Sequence, residues 1–391
     1  MSGNSSPTGD VMQELHESLE RRRTQILRLL AQFVRCESPT GDKASVDQMA
    51  RIVAREWRRR GAKIDVLRQK LRGDHVRAEL WLGPGRPTGQ ILILGHLDTV
   101  YPLGTLAKTP FRISRGCAWG PGTFDMKGGL AIALAAVDAL KDVGVRPRKR
   151  LVFFWNSDEE IDSGSSRQFI EREALRSDAV LVLEPAYGAE GRLKTARKGV
   201  GTAVIKVFGR AAHAGLNPEA GVNAVHELAL QTARLMKLND PRRGVTVQVT
   251  VTSGGTVSNV VPDFAKAQVD LRISRQADAR RLERKLRGLR PILKGARIEV
   301  SGGINRPPLE RTPGVVDLFR RAQSVAAEMG LTLDECFAGG GSDGNFTGAL
   351  GIPTLDGLGA VGDGAHSPSE HVVIRSLPGR AALLAGLLAT L

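Results

Sequence analysis

The chain has 391 residues, of which 41% are hydrophobic and 25% are charged, a balance typical of folded globular proteins. This balance excludes a disordered or collagen-like chain, and the length favours two or more folding units. Lys and Arg number 56 against 41 Asp and Glu, so the net charge of +15 is compatible with an acidic ligand, a nucleic acid or a membrane surface.

Further features of the composition narrow the range of possible partners and cellular locations. Aromatic residues make up only 4% of the chain and the basic residues are scattered, so we expect no nucleic acid partner. Cys36, Cys117 and Cys336 lie far apart, which argues against a disulfide framework and against a thiolate metal site. No apolar stretch reaches the length of a membrane span. We therefore expect a cytoplasmic protein with no membrane partner.

The first half of the chain predicts alternating strands and helices. Amphipathic helices are predicted at residues 13–33 and 45–60, with a loop at residues 38–41 between them. Apolar runs of strand length then follow at residues 78–82, 91–94, 151–155 and 179–183, with a helix of small residues at 128–143. This alternation predicts an α/β fold in which a mixed, largely parallel sheet is flanked by helices.

The pattern changes near Lys194. Strands with alternating hydrophobicity are predicted at residues 201–208, 245–251 and 265–273, and helices at 221–237 and 277–289. After Pro308 the α/β pattern returns, ending in a helix that starts at Ile374. We therefore predict one domain formed by residues 1–193 and 308–391, interrupted by a smaller α+β domain at residues 194–307 that acts as a lid.

The first candidate site residues are His96 and Asp98, which directly follow an apolar run. Ligand sites in open α/β sheets lie beyond the carboxyl ends of strands. Because side chains alternate along a strand, Asp98 would lie on the same side as His96 and could hold its imidazole in the tautomer that a metal needs. A surface histidine followed by a capping aspartate has the same pattern, so these two residues alone leave both interpretations open.

Other candidates follow a glycine-rich turn or an apolar run in the same way: Asp125, Glu159, Glu160, Glu184 and His366. Asp125 precedes a predicted helix and could equally serve as its cap. The acidic turn at Glu159 and Glu160 could be solvent-exposed. Adjacent carboxylates at a buried strand end repel each other, however, unless a cation or a shared proton is present, and a two-metal site can use one as ligand and the other as base.

The recurrence of candidate ligands at several strand ends makes a metal centre the better interpretation, because these ends converge on one crevice. Imidazole and carboxylate ligands without thiolate suit Zn²⁺, with Co²⁺ or Mn²⁺ as substitutes, and argue against a structural zinc site. We expect two metal ions about 3.5 to 4 Å apart.

From about residue 90 onward, the sequence contains GHLDTV, GPGTFDMKGG, NSDEE, LEP, GRAAHAG, VSNVVP, DLR, GGGSDGN and GAHSPSE. In order and approximate spacing, these motifs resemble those of the co-catalytic zinc peptidases and amidohydrolases. That family includes aminoacylase, acetylornithine deacetylase, succinyl-diaminopimelate desuccinylase and the folate-cleaving glutamate carboxypeptidases. Among these members, the sequence most resembles the folate-cleaving glutamate carboxypeptidases in its overall pattern. The first 89 residues match weakly, and we expect them to contribute packing rather than chemistry, with His75 exposed in a charged turn.

The resemblance implies a role for each candidate. His96 and Glu184 would bind one Zn²⁺, Glu160 and His366 the other, and Asp125 would bridge them, often with a cis peptide bond after it. Asp98 would orient His96. Glu159 would be the general base that takes a proton from the metal-bridging water and returns it to the leaving amine.

The resemblance also assigns residues to substrate recognition. His213 in the insert would stabilise the tetrahedral oxyanion, in its own chain or across a dimer. Asn259 and Arg272 would hold the substrate carboxylate, for which an Arg fork is suited. Gly340, Gly341 and Ser342 would form a catalytic-domain loop near the same end of the substrate. A homodimer through the insert is an expectation from the family.

The leading hypothesis is a di-zinc hydrolase that cleaves an amide bond to release a C-terminal, acidic amino acid from a small molecule or short peptide with a free carboxylate. One alternative is deacylation of an N-acyl amino acid, as in acetylornithine deacetylase or aminoacylase. Another is a catalytically silent relative that binds metal and ligand, although the presence of Glu159 argues against it.

Overall fold

The computed structural model describes residues 9–391, so the first eight residues of the predicted first domain lie outside the described part. The described residues form two compact units. The first contains residues 9–196, Arg311–Ala338 and Ser342–Leu391, and the second contains Arg197–Glu310 and Gly339–Gly341. The predicted boundaries at 193/194 and 307/308 lie within three residues of the ends of Arg197–Glu310, whereas Gly339–Gly341 had been placed in the other domain.

The first unit begins with α1 (Gly9–Arg21), α2 (Arg23–Val34) and α3 (Lys43–Arg59). The prediction of one helix over residues 13–33 is wrong, because the chain leaves helical geometry at Arg22, between α1 and α2. Buried apolar residues continue at helical spacing through both helices, so the sequence pattern does not reveal the break. Asp42 caps α3 by accepting a hydrogen bond of 2.8 Å from the amide of Ser45.

The next elements of the first unit, in chain order, are β1 (Lys63–Leu67), β2 (His75–Leu80), β3 (Gln90–His96), α4 (Thr105–Lys108), β4 (Arg112–Ser114), β5 (Cys117–Trp119), α5 (Gly128–Val143), β6 (Arg150–Asn156), α6 (Arg167–Ala174), β7 (Ala179–Val182) and β8 (Leu193–Arg197).

The interpretation of His75 as exposed in a charged turn is wrong. It begins β2, it is fully buried, and its ring packs against Phe154 and Phe169 with centroids 6.0 Å away.

The second unit contains β9 (Gly199–Phe208), α7 (Ala224–Met236), β10 (Thr246–Gly254), β11 (Phe264–Ile273), α8 (Gln276–Arg287) and β12 (Arg297–Arg306). Its strands form an antiparallel sheet in the order β10-β11-β9-β12. Buried and exposed residues alternate along β9 and β11, and α7 and α8 pack on the apolar face to form a separate core. Strand β12, which was not predicted from the sequence, is an edge of this sheet.

The first unit is completed by α9 (Pro313–Glu328), β13 (Glu335–Ala338), α10 (Gly344–Ala349), β14 (Thr354–Leu355), β15 (Gly362–Asp363), β16 (His371–Val373) and α11 (Leu377–Thr390). Its main sheet has the order β1-β2-β6-β3-β7-β14. The pairs β6-β3, β3-β7 and β7-β14 are parallel, and β1-β2 and β2-β6 are antiparallel. The predicted α/β fold with a mixed, largely parallel sheet is therefore confirmed.

Helices cover both faces of this sheet. One core combines α1, α2, α3, α5, α9 and α11 with one set of strand side chains, and a smaller core combines α6 with side chains such as Leu94, Val152 and Phe154 on the opposite face. Every residue of β3 is buried, as expected for a central strand of such a sheet.

Within residues 9–391, no helix has both the length and the apolar character needed to span a bilayer.

Candidate metal centre and active site

The parallel strands of the first unit bring candidate residues to one edge of the sheet. His96 is the last residue of β3 and pairs in register with Asn156, the last residue of β6. Glu159 and Glu160 begin a 3-10 turn just after β6, and Glu184 follows β7 by two residues. Because parallel strands end on the same side, the fold itself gathers these side chains.

Asp125 lies between two imidazoles. It belongs to a turn at Thr123–Lys127 that leads into α5, and its peptide bond to Met126 is cis, as the family resemblance implied. Asp125 Oδ1 is 3.0 Å from His96 Nε2, and Oδ2 is 3.2 Å from His366 Nε2. Each oxygen of one carboxylate therefore contacts a different histidine.

The remaining predicted ligands lie beside the same two histidines. Glu184 Oε1 is 3.6 Å from His96 Nε2, and Glu160 Oε2 is 3.2 Å from His366 Nε2. Potential ligand atoms of His96, Asp125 and Glu160 lie within 4.8 Å of one another, as do those of His96, Glu159 and Glu184. The structure thus brings the five predicted metal ligands together, although their assignment to individual ions stays a prediction.

The carboxylates make this cluster attractive to positive charge. Hydrogen bonds to Asp125 and Glu160 raise the pKa of His366 to about 10. Burial by itself would lower the pKa of His96, but hydrogen bonds to Asp125 and Asp98 outweigh it and raise this pKa well above its usual value. Burial raises the pKa of Glu160. The imidazole nitrogens therefore lie where a positive charge is favoured, which is the electrostatic condition for a cation site.

The residues present fit a metal ion. Glu160 Oε1 is buried and has no hydrogen-bond partner among the described residues, which is costly for a carboxylate oxygen unless another group satisfies it. Imidazole nitrogens and carboxylate oxygens form the donor set, and no cysteine belongs to it. This chemistry suits Zn²⁺, Co²⁺ or Mn²⁺.

Asp98 connects His96 to the acidic turn. Its main-chain oxygen is 3.0 Å from His96 Nδ1 and its Oδ1 is 3.4 Å from the same nitrogen. A carbonyl oxygen can only accept, so Nδ1 carries a proton and Nε2 faces the carboxylates. The carboxylate of Asp98 also accepts hydrogen bonds from the amides of Glu159 and Glu160, at 3.3 and 3.2 Å.

Thr40, which was not predicted from the sequence as a site residue, also contacts Asp98. Its Oγ1 donates a hydrogen bond of 2.7 Å to Asp98 Oδ2. Residues 1–89 are predicted to contribute packing rather than chemistry, and Thr40 in addition helps to fix a residue of the site. The segment Ser38–Gly41 had been interpreted only as a break between helices, and no sequence pattern in it indicates a partner 58 residues away.

His213 and Asn259 are brought together within the second unit. The amide of Ala214 donates to the carbonyl of Asn259 at 2.8 Å, and His213 and Asn259 are exposed. His213 Nδ1 accepts hydrogen bonds from the amides of Gly215 and Leu216, at 3.1 and 3.0 Å. The proton of the neutral ring is therefore on Nε2, which makes that nitrogen a donor.

The other predicted substrate-binding residues have protein partners. Arg272 donates from Nε and Nη2 to the two carboxylate oxygens of Asp270, both at 2.9 Å. The carbonyls of Gly340 and Gly341 accept hydrogen bonds from Arg197, at 3.2 and 3.0 Å. Ser342 belongs to the first unit, where it is buried and donates to Asp356 at 2.5 Å. Their substrate contacts stay predictions.

Comparisons with known proteins agree with this architecture. A profile described as Peptidase family M20/M25/M40 matches residues 92–390. Carboxypeptidase G2 from Pseudomonas sp. (strain RS-16) is 32% identical over 382 residues, which cover 96% of this chain and 91% of that protein. Acetylornithine deacetylase from Salmonella newport (strain SL254) is 30% identical over 219 residues, or 52% of this chain and 55% of that protein.

Solved structures show the same fold. Aminopeptidase PepT from Bacillus cereus ATCC 10987 superposes with a TM-score of 0.74 at 21% identity, covering 94% of this chain and 98% of the other. The M20 family metallo-carboxypeptidase Sso-CP2 from Sulfolobus solfataricus has a TM-score of 0.70 at 19% identity, covering 93% and 98%.

Proposed function

The chain belongs to the peptidase family M20/M25/M40 and is a hydrolytic enzyme, and from this membership we propose that it cleaves an amide bond to release a C-terminal, acidic amino acid with the help of two Zn²⁺ ions. The family predicted from the sequence motifs is thereby confirmed. Support for the metal centre comes from the described site, and support for carboxypeptidase activity comes from the similarity to carboxypeptidase G2 over nearly the whole chain.

The observation that carries the proposal is the position of Asp125, with one carboxylate oxygen near His96 and the other near His366. A carboxylate in this position suits a bridging ligand. His96 and Glu184 would then hold one ion, and Glu160 and His366 the other. When bound, such ions polarise a carbonyl oxygen and lower the pKa of a coordinated water.

Glu159 is the proposed general base. Its side chain takes a proton from the attacking water and gives it to the nitrogen of the leaving amine as the C–N bond breaks. The main-chain hydrogen bond from Glu159 to Asp98 fixes the start of the turn that carries this side chain. One water is consumed, and the products are a carboxylic acid and a free amino acid.

His213 is the proposed donor to the tetrahedral oxyanion. Because its Nδ1 accepts two main-chain hydrogen bonds, the ring presents an N–H at Nε2 without needing to be charged. A preoriented donor of this type stabilises the negative charge that develops on the carbonyl oxygen.

Arg272 supports the proposed preference for a free carboxylate, and the net charge of +15 suits an acidic substrate. Asp270 uses two of the five N–H donors of an arginine, so the guanidinium retains donors with which it can bind a second carboxylate. A second candidate function is deacylation of an N-acyl amino acid, which the similarity to acetylornithine deacetylase over about half of the chain supports.

The proposal is tested by measuring metal content and hydrolysis on the same preparation. Metal per chain is quantified, and amino-acid release is followed from N-acyl-glutamate, folate-type and N-acetyl-ornithine substrates with and without a chelator. We expect two metal ions per chain and release of glutamate that the chelator abolishes. Preferred cleavage of the acetyl compound would move the function to the deacylases, and failure to bind metal after zinc is supplied would refute the metal centre.

A further inference from the structure

Glu370 is a buried carboxylate that has no role in the proposed reaction, yet it contacts the turn that carries Asp125. Its Oε1 accepts hydrogen bonds from the amides of Phe124 and Asp125, both at 2.8 Å. Its Oε2 accepts from the amide of Gly122, also at 2.8 Å, and its main-chain oxygen accepts from Gly120 at 3.2 Å. Only 1% of the surface of Glu370 is exposed. The carboxylate therefore accepts hydrogen bonds from three main-chain amides in this turn and directly before it.

Tyr101 extends the same contact to other segments. Its hydroxyl lies 2.5 Å from Glu370 Oε2 and 2.9 Å from the main-chain oxygen of Ser367. Tyr101 follows His96 by five residues, and Ser367 is the residue after His366. The Glu370 carboxylate thus joins the three segments that carry His96, Asp125 and His366.

We propose that Glu370, assisted by Tyr101, is a positioning residue that holds Asp125 between the two imidazoles and thereby sets the affinity of the site for metal. This inference rests on the proposed metal centre. The amide of Asp125 is fixed by Glu370, and the side chain of the same residue reaches both histidines, so a shift of the turn would move both carboxylate oxygens away from their partners. Contacts of this kind around metal ligands govern both geometry and affinity.

A neutral side chain would not replace the carboxylate. Three amides converge on its two oxygens, and each of these buried donors needs an acceptor. In the Glu370→Gln variant one oxygen becomes an NH2 group, which faces an N–H donor and leaves it unsatisfied in the protein interior. The Gln variant therefore loosens the turn while keeping the size of the side chain.

Glu227 in the second unit provides a matched control. It is also fully buried, and its carboxylate accepts hydrogen bonds from the amides of Ile292 and Leu293, the latter at 2.7 Å. The Glu227→Gln variant therefore makes the same chemical change in a similar environment, but within a unit that supplies none of the five proposed metal ligands.

The test measures Zn²⁺ affinity by competition with a chromophoric chelator, and the visible absorption of the Co²⁺-substituted protein, in the full-length chain. We expect Glu370→Gln to weaken Zn²⁺ binding about 10- to 100-fold and to change the Co²⁺ spectrum. Tyr101→Phe removes the hydroxyl that contacts Glu370 and Ser367 but keeps the three amide contacts of Glu370, and it should weaken binding about two- to tenfold. Glu227→Gln should leave both readouts unchanged, even if its melting temperature falls as much as that of Glu370→Gln.

The outcomes separate this inference from the proposed function. If the wild-type protein binds neither Zn²⁺ nor Co²⁺, the metal centre itself is refuted. If the wild type binds metal and Glu370→Gln binds it equally well, the positioning role is refuted. An equal loss of affinity in Glu227→Gln would also refute it, because the effect would then follow general stability. Should Glu370→Gln fail to fold, Tyr101→Phe decides, and an unchanged Zn²⁺ affinity in that variant overturns the proposal.

Discussion

The two units hold their candidate residues in contrasting ways. In the first unit, His96 and Asp98 are each 1% exposed and are fixed by contacts with other buried polar groups. In the second unit, His213 and Asn259 are exposed, and about a third of the side chain of Arg272 is exposed. The side chain of His366 in the first unit is 50% exposed, so the contrast holds for His96 and Asp98 rather than for every candidate. Under the proposed function, these two residues would fix part of the geometry of bond cleavage in advance, whereas the second unit would offer accessible groups that can meet a substrate.

The largest effect is expected in the first unit, for Glu159→Gln. Loss of the proposed general base should lower kcat by about 10²- to 10⁴-fold, because a carboxamide cannot take the proton from water. Steady-state hydrolysis, together with metal analysis, checks this expectation. The metal content should stay at the wild-type level, and Glu171→Gln on α6, which pairs with Arg167, should retain full activity. Near wild-type turnover in the metal-loaded Glu159→Gln protein would refute the mechanism.

A smaller effect is expected for His213→Ala in the second unit. Removing an oxyanion donor should lower kcat about 100-fold with little change in KM, because the interaction forms only as charge develops on the substrate. The exposed His226 on α7 gives a matched control, and His226→Ala should behave as wild type. An increase in KM alone would instead assign His213 to ground-state binding and weaken the contrast between the units.

The smallest effect is expected for Arg272→Ala, which should act on binding rather than on cleavage. Loss of a charge-assisted contact should raise KM about tenfold for substrates with a free carboxylate and leave kcat nearly unchanged. Kinetics with carboxylate and amide-capped forms of one substrate check this. Arg284→Ala on α8 removes the same positive charge from an exposed position and therefore controls for the change in net charge of the protein. If wild-type enzyme does not distinguish the two substrate forms, Arg272 has no such role.

Much of the site could be predicted because its residues follow strong local patterns. His96, Glu159, Glu160 and Glu184 come just after apolar runs, and a largely parallel sheet places such positions at one edge. Other features depend on contacts that no local pattern shows. The bonds from Thr40 to Asp98 and from the amide of Asp125 to Glu370 join residues 58 and 245 positions apart.

The errors in the fold have similar causes. The apolar period continues across Arg22, so it predicts one helix where the chain forms two. His75 was assigned to the surface from its charged neighbours, whereas its environment is set by Phe154 and Phe169 from other elements. Strands β1 and β12 contain charged residues and many partly exposed positions, which weakens the apolar runs that reveal a strand.

The interruption of the first unit by the second has a consequence for the order of events on the ribosome. Apart from Gly339–Gly341, the second unit is one continuous segment that ends at Glu310, so its sheet and helices can form as soon as that segment has emerged. His366 is translated 56 residues later, about 3 to 11 seconds at usual elongation rates. Glu370 follows it. The nascent chain therefore lacks both groups when the segment of the second unit is complete, and the full set of proposed metal ligands exists only after His366 has been added.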